Sequence, residues 1–231
     1  MKYPSFHHEK KLWKEGYEIV IGIDEAGRGP LAGPVVAAAA SVEPLSRIRS
    51  KLLKVGDIKD SKRLAERKRE RIFSRIIDHP AVRWGVGVVP ESIIDRVNIL
   101  EATKLAMMRA VLNFQGKYQH EMFSLTANSE MEITPYFLLI DGPIEIDLSL
   151  PQRSINRADE KVFSCSLASI IAKVKRDQIM KGYAEMYPEY KFSSHKGYAT
   201  QAHLKRLKKH GPCEIHRKSF GPVKDLATEE A

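Results

Sequence analysis

The chain has 231 residues, enough for one sizeable core and a small appendage. Its 43% hydrophobic and 29% charged content is that of an ordinary globular protein, and the apolar run over residues 34–42 is far short of the roughly 20 residues a membrane span needs. Lys and Arg outnumber Asp and Glu by 38 to 29, a net charge of +9, which favours a polyanionic partner because phosphate neutralisation releases counterions.

Residues 19–25 (IVIGIDE) read as a buried strand that ends on two acids. AGRGPLAG follows as a turn, with three glycines and a proline. Residues 34–41 form a second apolar run, expected to pair antiparallel with the first. Residues 61–78 predict a helix that Ser61 would cap, with Leu64, Ile72, Phe73, Ile76 and Ile77 as its apolar stripe. Residues 82–89 predict a third strand. Residues 98–114 predict a helix, with Leu100, Leu105, Met108, Val111 and Leu112 at helical spacing.

The polar stretch 115–134 reads as a long loop. Residues 136–140 predict a short buried strand ending at Asp141-Gly142, and 151–160 an irregular segment or short edge strand. Residues 162–180 predict a helix with an apolar and small face, and 200–210 a strongly basic helix. Three strands, then alternating helix and strand, then helices imply a mixed sheet covered by helices, with a helical C-terminal part. Cys165 and Cys213 are too few for a disulfide framework, so a reducing cytosol is the default compartment. The first residues contain no apolar segment resembling a signal peptide.

Four acids stand out by position. Asp24 and Glu25 close the first strand, Asp141 closes the strand YFLLI, and Asp159 precedes the helix near Val162. Neighbouring strand ends can bring Asp24 and Asp141 together, and the repulsion between clustered carboxylates is relieved by a divalent cation. Hard oxygen ligands suit Mg²⁺ or Mn²⁺. Each acid also has a plainer reading. Asp141 is a turn residue in Asp-Gly, and Asp159 favours the positive end of the next helix. Spacing alone does not settle whether the four converge.

Six blocks, in order, resemble the ribonuclease HII family over roughly residues 18–224. They are GIDEAGRGPLAGPVV (22–36), Asp60-Ser61-Lys62 with Leu64, LLIDG (138–142), ASIIAKVKRD (168–177), HKGYAT (195–200) with His203, and HRKSFGPV (216–223). The resemblance implies an α/β fold with a ribonuclease H-like mixed five-stranded sheet flanked by helices and a helical C-terminal extension. It divides the chain into an N-terminal extension (1–18), a catalytic domain (19–185) and a C-terminal substrate-binding region with its tail (186–231).

It further implies that Asp24, Glu25, Asp141 and Asp159 hold two divalent ions, Mn²⁺ or Mg²⁺, with Asp177 as competing candidate for the fourth place. Asp177 ranks lower, because Arg176-Asp177 lies deep in a helix and suits a structural ion pair. The loop Gly27-Arg28-Gly29 would read the ribose 2′-hydroxyl, Tyr198 would stack on the neighbouring sugar, and Lys62 would anchor phosphate. The implied reaction cuts the RNA strand of RNA/DNA hybrids and the 5′ side of a ribonucleotide embedded in duplex DNA, leaving 5′-phosphate and 3′-hydroxyl ends. A cytoplasmic monomer that needs no membrane is expected.

The related ribonuclease HIII carries a sizeable N-terminal domain, whereas only about 18 residues precede the first strand here. Arg28 also resembles HII, since HIII tends to have Lys there. Ser166-Leu167-Ala168 and the long 115–134 segment depart from the family pattern. Lys205, Arg206, Lys208 and Lys209 make a basic patch on one helix. His195, His203 and His216 lack tight ligand spacing and read as structural or substrate-adjacent. A basic RNA-binding protein without catalysis is the competing class, and it would not need acids at strand ends.

Overall fold

A computed structural model describes residues 4–44, 65–126 and 136–229. Within them, β1 (Ile19–Ala26), β2 (Val35–Val42), β3 (Val82–Val89), β4 (Tyr136–Asp141) and β5 (Gln152–Ile155) form one sheet in the order β3-β2-β1-β4-β5. β1 pairs antiparallel with β2, and β2 with β3. β4 runs parallel to β1, and β5 parallel to β4. The mixed five-stranded sheet and the helical C-terminal region are as the sequence and the resemblance implied.

Helices cover both faces of the sheet. α3 (Glu91–Thr126) lies on one, burying Ala102, Ala106, Met107, Ala110, Val111 and Phe114 against Ile21, Ile23, Val35, Ala37 and Ala39. α4 (Phe163–Met186) and α2 (Glu66–Ile77) cover the other, where Leu167, Ile170, Ile171, Ile72 and Phe73 meet Ala38, Ala40 and Val42. α1 (His7–Lys14) sends Leu12 into a third cluster with Val20, Phe137 and Cys165. Gly22 lets the start of α4 approach β1, since a Cβ there would collide with Ser164 and Cys165.

Two expectations need correction. The described part of the 115–134 segment is helical to Thr126, so α3 is much longer than predicted. Its polar residues cover the outer edge of β3. Asn113 Oδ1 accepts the Val86 N–H at 3.0 Å, and Arg109 Nη1 donates to the Val88 carbonyl at 2.8 Å. Tyr118 OH accepts the Trp84 N–H at 3.3 Å, and the Lys117 ammonium lies 3.7 Å from the Trp84 ring centroid. Polarity there signals a helix bonded to a strand edge.

The buried stripe of α3 also differs from the prediction. Leu100 and Leu112 are 41% and 55% exposed, while alanines at 102, 106 and 110 meet the sheet. Close approach to a strand containing Gly85 and Gly87 favours small residues over leucines. Asn98, at φ 71°, kinks the helix and accepts the Leu100 and Glu101 N–H groups on its Oδ1. Ser61, Lys62 and Leu64 lie outside the described residues.

The C-terminal part contains α5 (Phe192–His195), α6 (Gln201–His210) and α7 (Gly221–Glu229). Thr200 caps α6 by accepting the His203 N–H at 3.2 Å. Ala32 pairs with His216 in an isolated antiparallel bridge, so this region is stitched directly to the turn after β1.

Candidate functional site

β1 and β4 are neighbours in parallel, with Ile23 opposite Ile140, so Asp24 and Asp141 leave the sheet side by side. A short 3₁₀ turn, Ala158–Glu160, places Asp159 beside them. The turn is tied to β4, because the Ala158 N–H donates to Asp141 Oδ1. It is entered through Arg157 in the left-handed region, φ 57°. The carboxylates of Asp24, Asp141 and Asp159 each place an oxygen so that the three atoms lie within 4.8 Å of one another.

Asp24 is 1% exposed, and the other two are half-buried. Cys165 packs beneath this cluster, and burial, with Glu9, Asp24 and Asp141 nearby, pushes its thiol well up. Three hard oxygen donors that would otherwise repel each other fit a divalent ion of the Mg²⁺ or Mn²⁺ kind.

Glu25 and Asp177 are not among these three acids. Glu25 donates its N–H to Asp24 Oδ1 at 2.7 Å, and its Oε1 lies 3.4 Å from Arg28 Nη1. Asp177 sits in a different setting, 2.7 Å from Lys173 Nζ and 3.6 Å from Arg69 Nη1.

The Gly27–Pro34 turn lies next to Asp24 in sequence. Gly27 has φ 96°, and a Cβ there would strike the Arg176 side chain, so only glycine fits. A Cβ at Gly29 would meet open space, leaving its backbone accessible from outside. Tyr198, 42% exposed, lies over Arg176 and Lys173, whose charges are 5.7 and 5.8 Å from its ring centroid.

A model of the family described as Ribonuclease HII matches residues 21–223. The chain is 40% identical to the ribonuclease HII of Caldicellulosiruptor saccharolyticus over 215 residues, covering 93% of each chain. It is 43% identical to the ribonuclease HII of Bacillus mycoides over 219 residues, covering 95% of this chain and 75% of the relative. In fold it is similar to the ribonuclease H2 of Pyrococcus horikoshii OT3, with TM-score 0.61, 24% identity and coverage of 91% and 98% of the two chains.

The chain belongs to the ribonuclease HII family.

As a member of the ribonuclease HII family it is a metal-dependent endoribonuclease that acts on RNA/DNA hybrids. Beside the carboxylates, the ribonuclease HII fold holds two further features, one of them built from histidines that the sequence reads as structural or substrate-adjacent. The first is a histidine relay. His203 Nδ1 lies 2.9 Å from the Tyr198 carbonyl, which only accepts, so Nδ1 carries the proton. His203 Nε2 then accepts from His216 Nε2 at 3.1 Å, and His216 Nδ1 accepts the Cys213 N–H at 2.9 Å.

Both rings must be neutral for this chain of bonds, and burial pushes each down to about 4. His195 stacks on His203 at 4.3 Å. The histidines are structural, and they pin the main chain at Tyr198.

The second feature is a pair of fully buried arginines, Arg176 and Arg217. The sequence suggests an ion pair within Arg176-Asp177, whereas Asp177 pairs with Lys173 and Arg69, and Arg176 donates to carbonyls. The available signal was the place of both arginines inside the blocks KVKRD and HRKSF. On α6, Arg206 Nη1 donates to the Glu189 carbonyl at 2.7 Å, while Lys205, Lys208 and Lys209 are exposed.

Proposed function

We propose that this protein nicks duplex DNA on the 5′ side of embedded ribonucleotides, besides cutting RNA/DNA hybrids, by two-metal-ion hydrolysis. The convergence of Asp24, Asp141 and Asp159 carries this reading. In it, Asp24 and Asp141 would share or flank both ions, with Glu25 and Asp159 completing the set. Bound divalent ions would supply charge relief on the phosphate and an activated water.

The chain's own groups do the rest. Asp24, 1% exposed at the end of β1, is fixed by the sheet and by the Glu25 N–H, so its carboxylate needs little reorganisation. Asp141 is held by the Ala158 N–H, which also sets the position of Asp159. The exposed backbone at Gly29, with Gly27 and Arg28, is assigned to the ribose 2′-hydroxyl, the group that separates RNA from DNA.

Tyr198 is assigned to the sugar on the 3′ side, where a flat ring packs on a deoxyribose and senses the missing hydroxyl. The products are a 5′-phosphate and a 3′-hydroxyl. Lys62 and the exposed lysines of α6 are assigned to backbone phosphates. The division at residues 18 and 185 is retained, with 186–231 as the substrate-binding region. Among the described residues no helix is long and apolar enough to cross a membrane. A monomer acting in the cytoplasm is part of the proposal.

The test is cleavage of a duplex that holds one ribonucleotide, with Mn²⁺ or Mg²⁺ and with chelator. Metal-dependent nicking on its 5′ side is expected. Activity restricted to long hybrids would overturn the embedded-ribonucleotide reading, and turnover in chelator would overturn the metal mechanism.

A further inference from the structure

The turn from Gly27 to Pro34 is the region assigned to the sugar, yet its sequence, GRGPLAGP, offers few side chains with which to hold itself in place. Its carbonyls are held from below. Arg217 Nη2 donates to Gly27 O at 2.6 Å and to Gly33 O at 2.7 Å, Nη1 to Arg28 O at 2.9 Å, and Nε to Gly33 O at 2.9 Å. Arg176 Nε donates to Pro34 O at 3.0 Å, Nη2 to Ala32 O at 3.1 Å, and Nη1 to Lys196 O at 3.0 Å.

Arg176 therefore joins the turn to the segment carrying Tyr198, while the Arg217 fork fixes the turn itself. Two main-chain bonds follow the same path, from Leu31 N–H to Gly197 O and from Arg217 N–H to Leu31 O, both 2.8 Å.

Both guanidiniums are fully buried, and all their described hydrogen bonds go to main-chain carbonyls. Burial lowers Arg217 to about 9, with the Arg176 charge adding to the effect. Burying two like charges carries a desolvation cost that a packed apolar core would not incur. What the arginines supply instead is planar, multi-donor geometry. A guanidinium fork fixes carbonyls in position and angle, which neither an aliphatic side chain nor a lysine does.

We propose that Arg217 and Arg176 are positioning residues that set the distance between the Gly27–Gly29 backbone and the Tyr198 ring, and thereby the preference for an RNA-to-DNA junction. The proposal rests on the sugar-reading roles given above to that loop and to Tyr198. A junction offers a single productive alignment, with a ribose at the loop and a deoxyribose under the ring. A uniform hybrid offers many equivalent registers, so it tolerates a loosened spacing better.

The test compares wild type with Arg217→Lys, which keeps the charge and removes the fork. kcat/KM is measured on a single-ribonucleotide duplex and on a hybrid, and Mn²⁺ titration counts metal-binding sites. The ratio of the two kcat/KM values is expected to fall about tenfold, with Mn²⁺ affinity within about twofold of wild type. A loss of folded protein alone lowers both activities together and leaves the ratio unchanged, so an unchanged ratio overturns the proposal.

Should Arg217→Lys not fold, the ratio is read in Phe220→Leu, which takes away the ring 5.0 Å from the Arg217 guanidinium carbon and keeps an aliphatic side chain against the neighbouring core. A fall of about threefold is expected there, and none overturns the proposal. If wild type cuts hybrid but not the single-ribonucleotide duplex, the functional reading fails separately. The clamp is then judged by hybrid kcat per Mn²⁺-binding site, which falls if it positions the loop and holds if it does not.

Discussion

Glu9 caps a helix that begins 154 residues after it (163 − 9): its Oε1 accepts the Ser164 N–H at 2.8 Å and the Ser164 hydroxyl at 2.9 Å. Val162, the residue ahead of α4, makes no side-chain cap, so α1 supplies from outside the acceptor that the helix start lacks. Burial pushes the Glu9 carboxyl up. Glu9→Ala is expected to cost about 1–2 kcal/mol in denaturant unfolding, with Glu9→Gln milder because an amide oxygen still accepts. Equal stability of Glu9→Ala and wild type would remove α1 from the account of how α4 starts.

Neutralising Asp24 or Asp141 removes a charge from the carboxylate cluster while the sheet keeps its shape. Asp24→Asn and Asp141→Asn are each expected to lower cleavage at least about 10²–10³-fold and to weaken Mn²⁺ binding, while hybrid binding stays measurable. Single-turnover kinetics and Mn²⁺ calorimetry read these separately. Near-normal turnover in Asp141→Asn would discard its assignment.

Asp159 and Asp177 make opposite predictions. Asp159→Asn is expected to weaken Mn²⁺ binding with little change in melting temperature. Asp177→Asn is expected to leave Mn²⁺ binding intact but destabilise the fold by about 3 kcal/mol, because Arg69, only 7% exposed, loses a partner. Calorimetric Mn²⁺ titration and thermal unfolding of both variants decide it. Metal affinity that follows Asp177 would reverse the choice.

Much of this was legible in the chain. The strand ends carrying Asp24 and Asp141 were readable because apolar runs stop abruptly on acids, and β1, β3 and β4 fall where the patterns placed them. The part of α3 beyond residue 114 was not, because Lys117 and Tyr118 face a strand side chain and strand backbone, and residue type alone does not distinguish that from solvent. The burial of Arg217, and the carbonyl partners of Arg176, were hidden for a related reason. A cation satisfied by carbonyls leaves no acidic partner in the sequence to betray its burial. The meeting of Asp159 with Asp141 depends on the Arg157–Ala158 turn, which no periodicity marks.

Acid should loosen the C-terminal region first. His203 and His216 are each held down to about 4 against an ordinary 6.5, so the unfolded chain binds more protons than the folded one between those values. Their contribution to stability is complete above about pH 6.5 and is lost as pH falls from there toward 4. Glu9, pushed up, acts in the opposite sense, its contribution falling as pH rises above its ordinary 4.5. The melting temperature is expected to drop between pH 7 and 5, and His216→Gln to flatten that slope while lowering stability at pH 7. A slope unchanged in His216→Gln would mean other groups govern the acid limb.

Tyr198 is held through its carbonyl, so its ring can be removed without cutting the histidine relay. Tyr198→Ala is expected to lose about tenfold on a single-ribonucleotide duplex relative to hybrid, with Mn²⁺ affinity unchanged, and Tyr198→Phe to behave as wild type. Parallel losses on both substrates in Tyr198→Ala would argue against stacking.

An outer strand with open amides is where foreign chains add themselves and where fibrils begin. Here Asn113, Arg109 and Tyr118 occupy that rim as a row of plugs, each from a successive part of one helix. Protection from self-association on this side therefore resides in a few polar side chains, and stripping them would turn a quiet border of the molecule into an adhesive one.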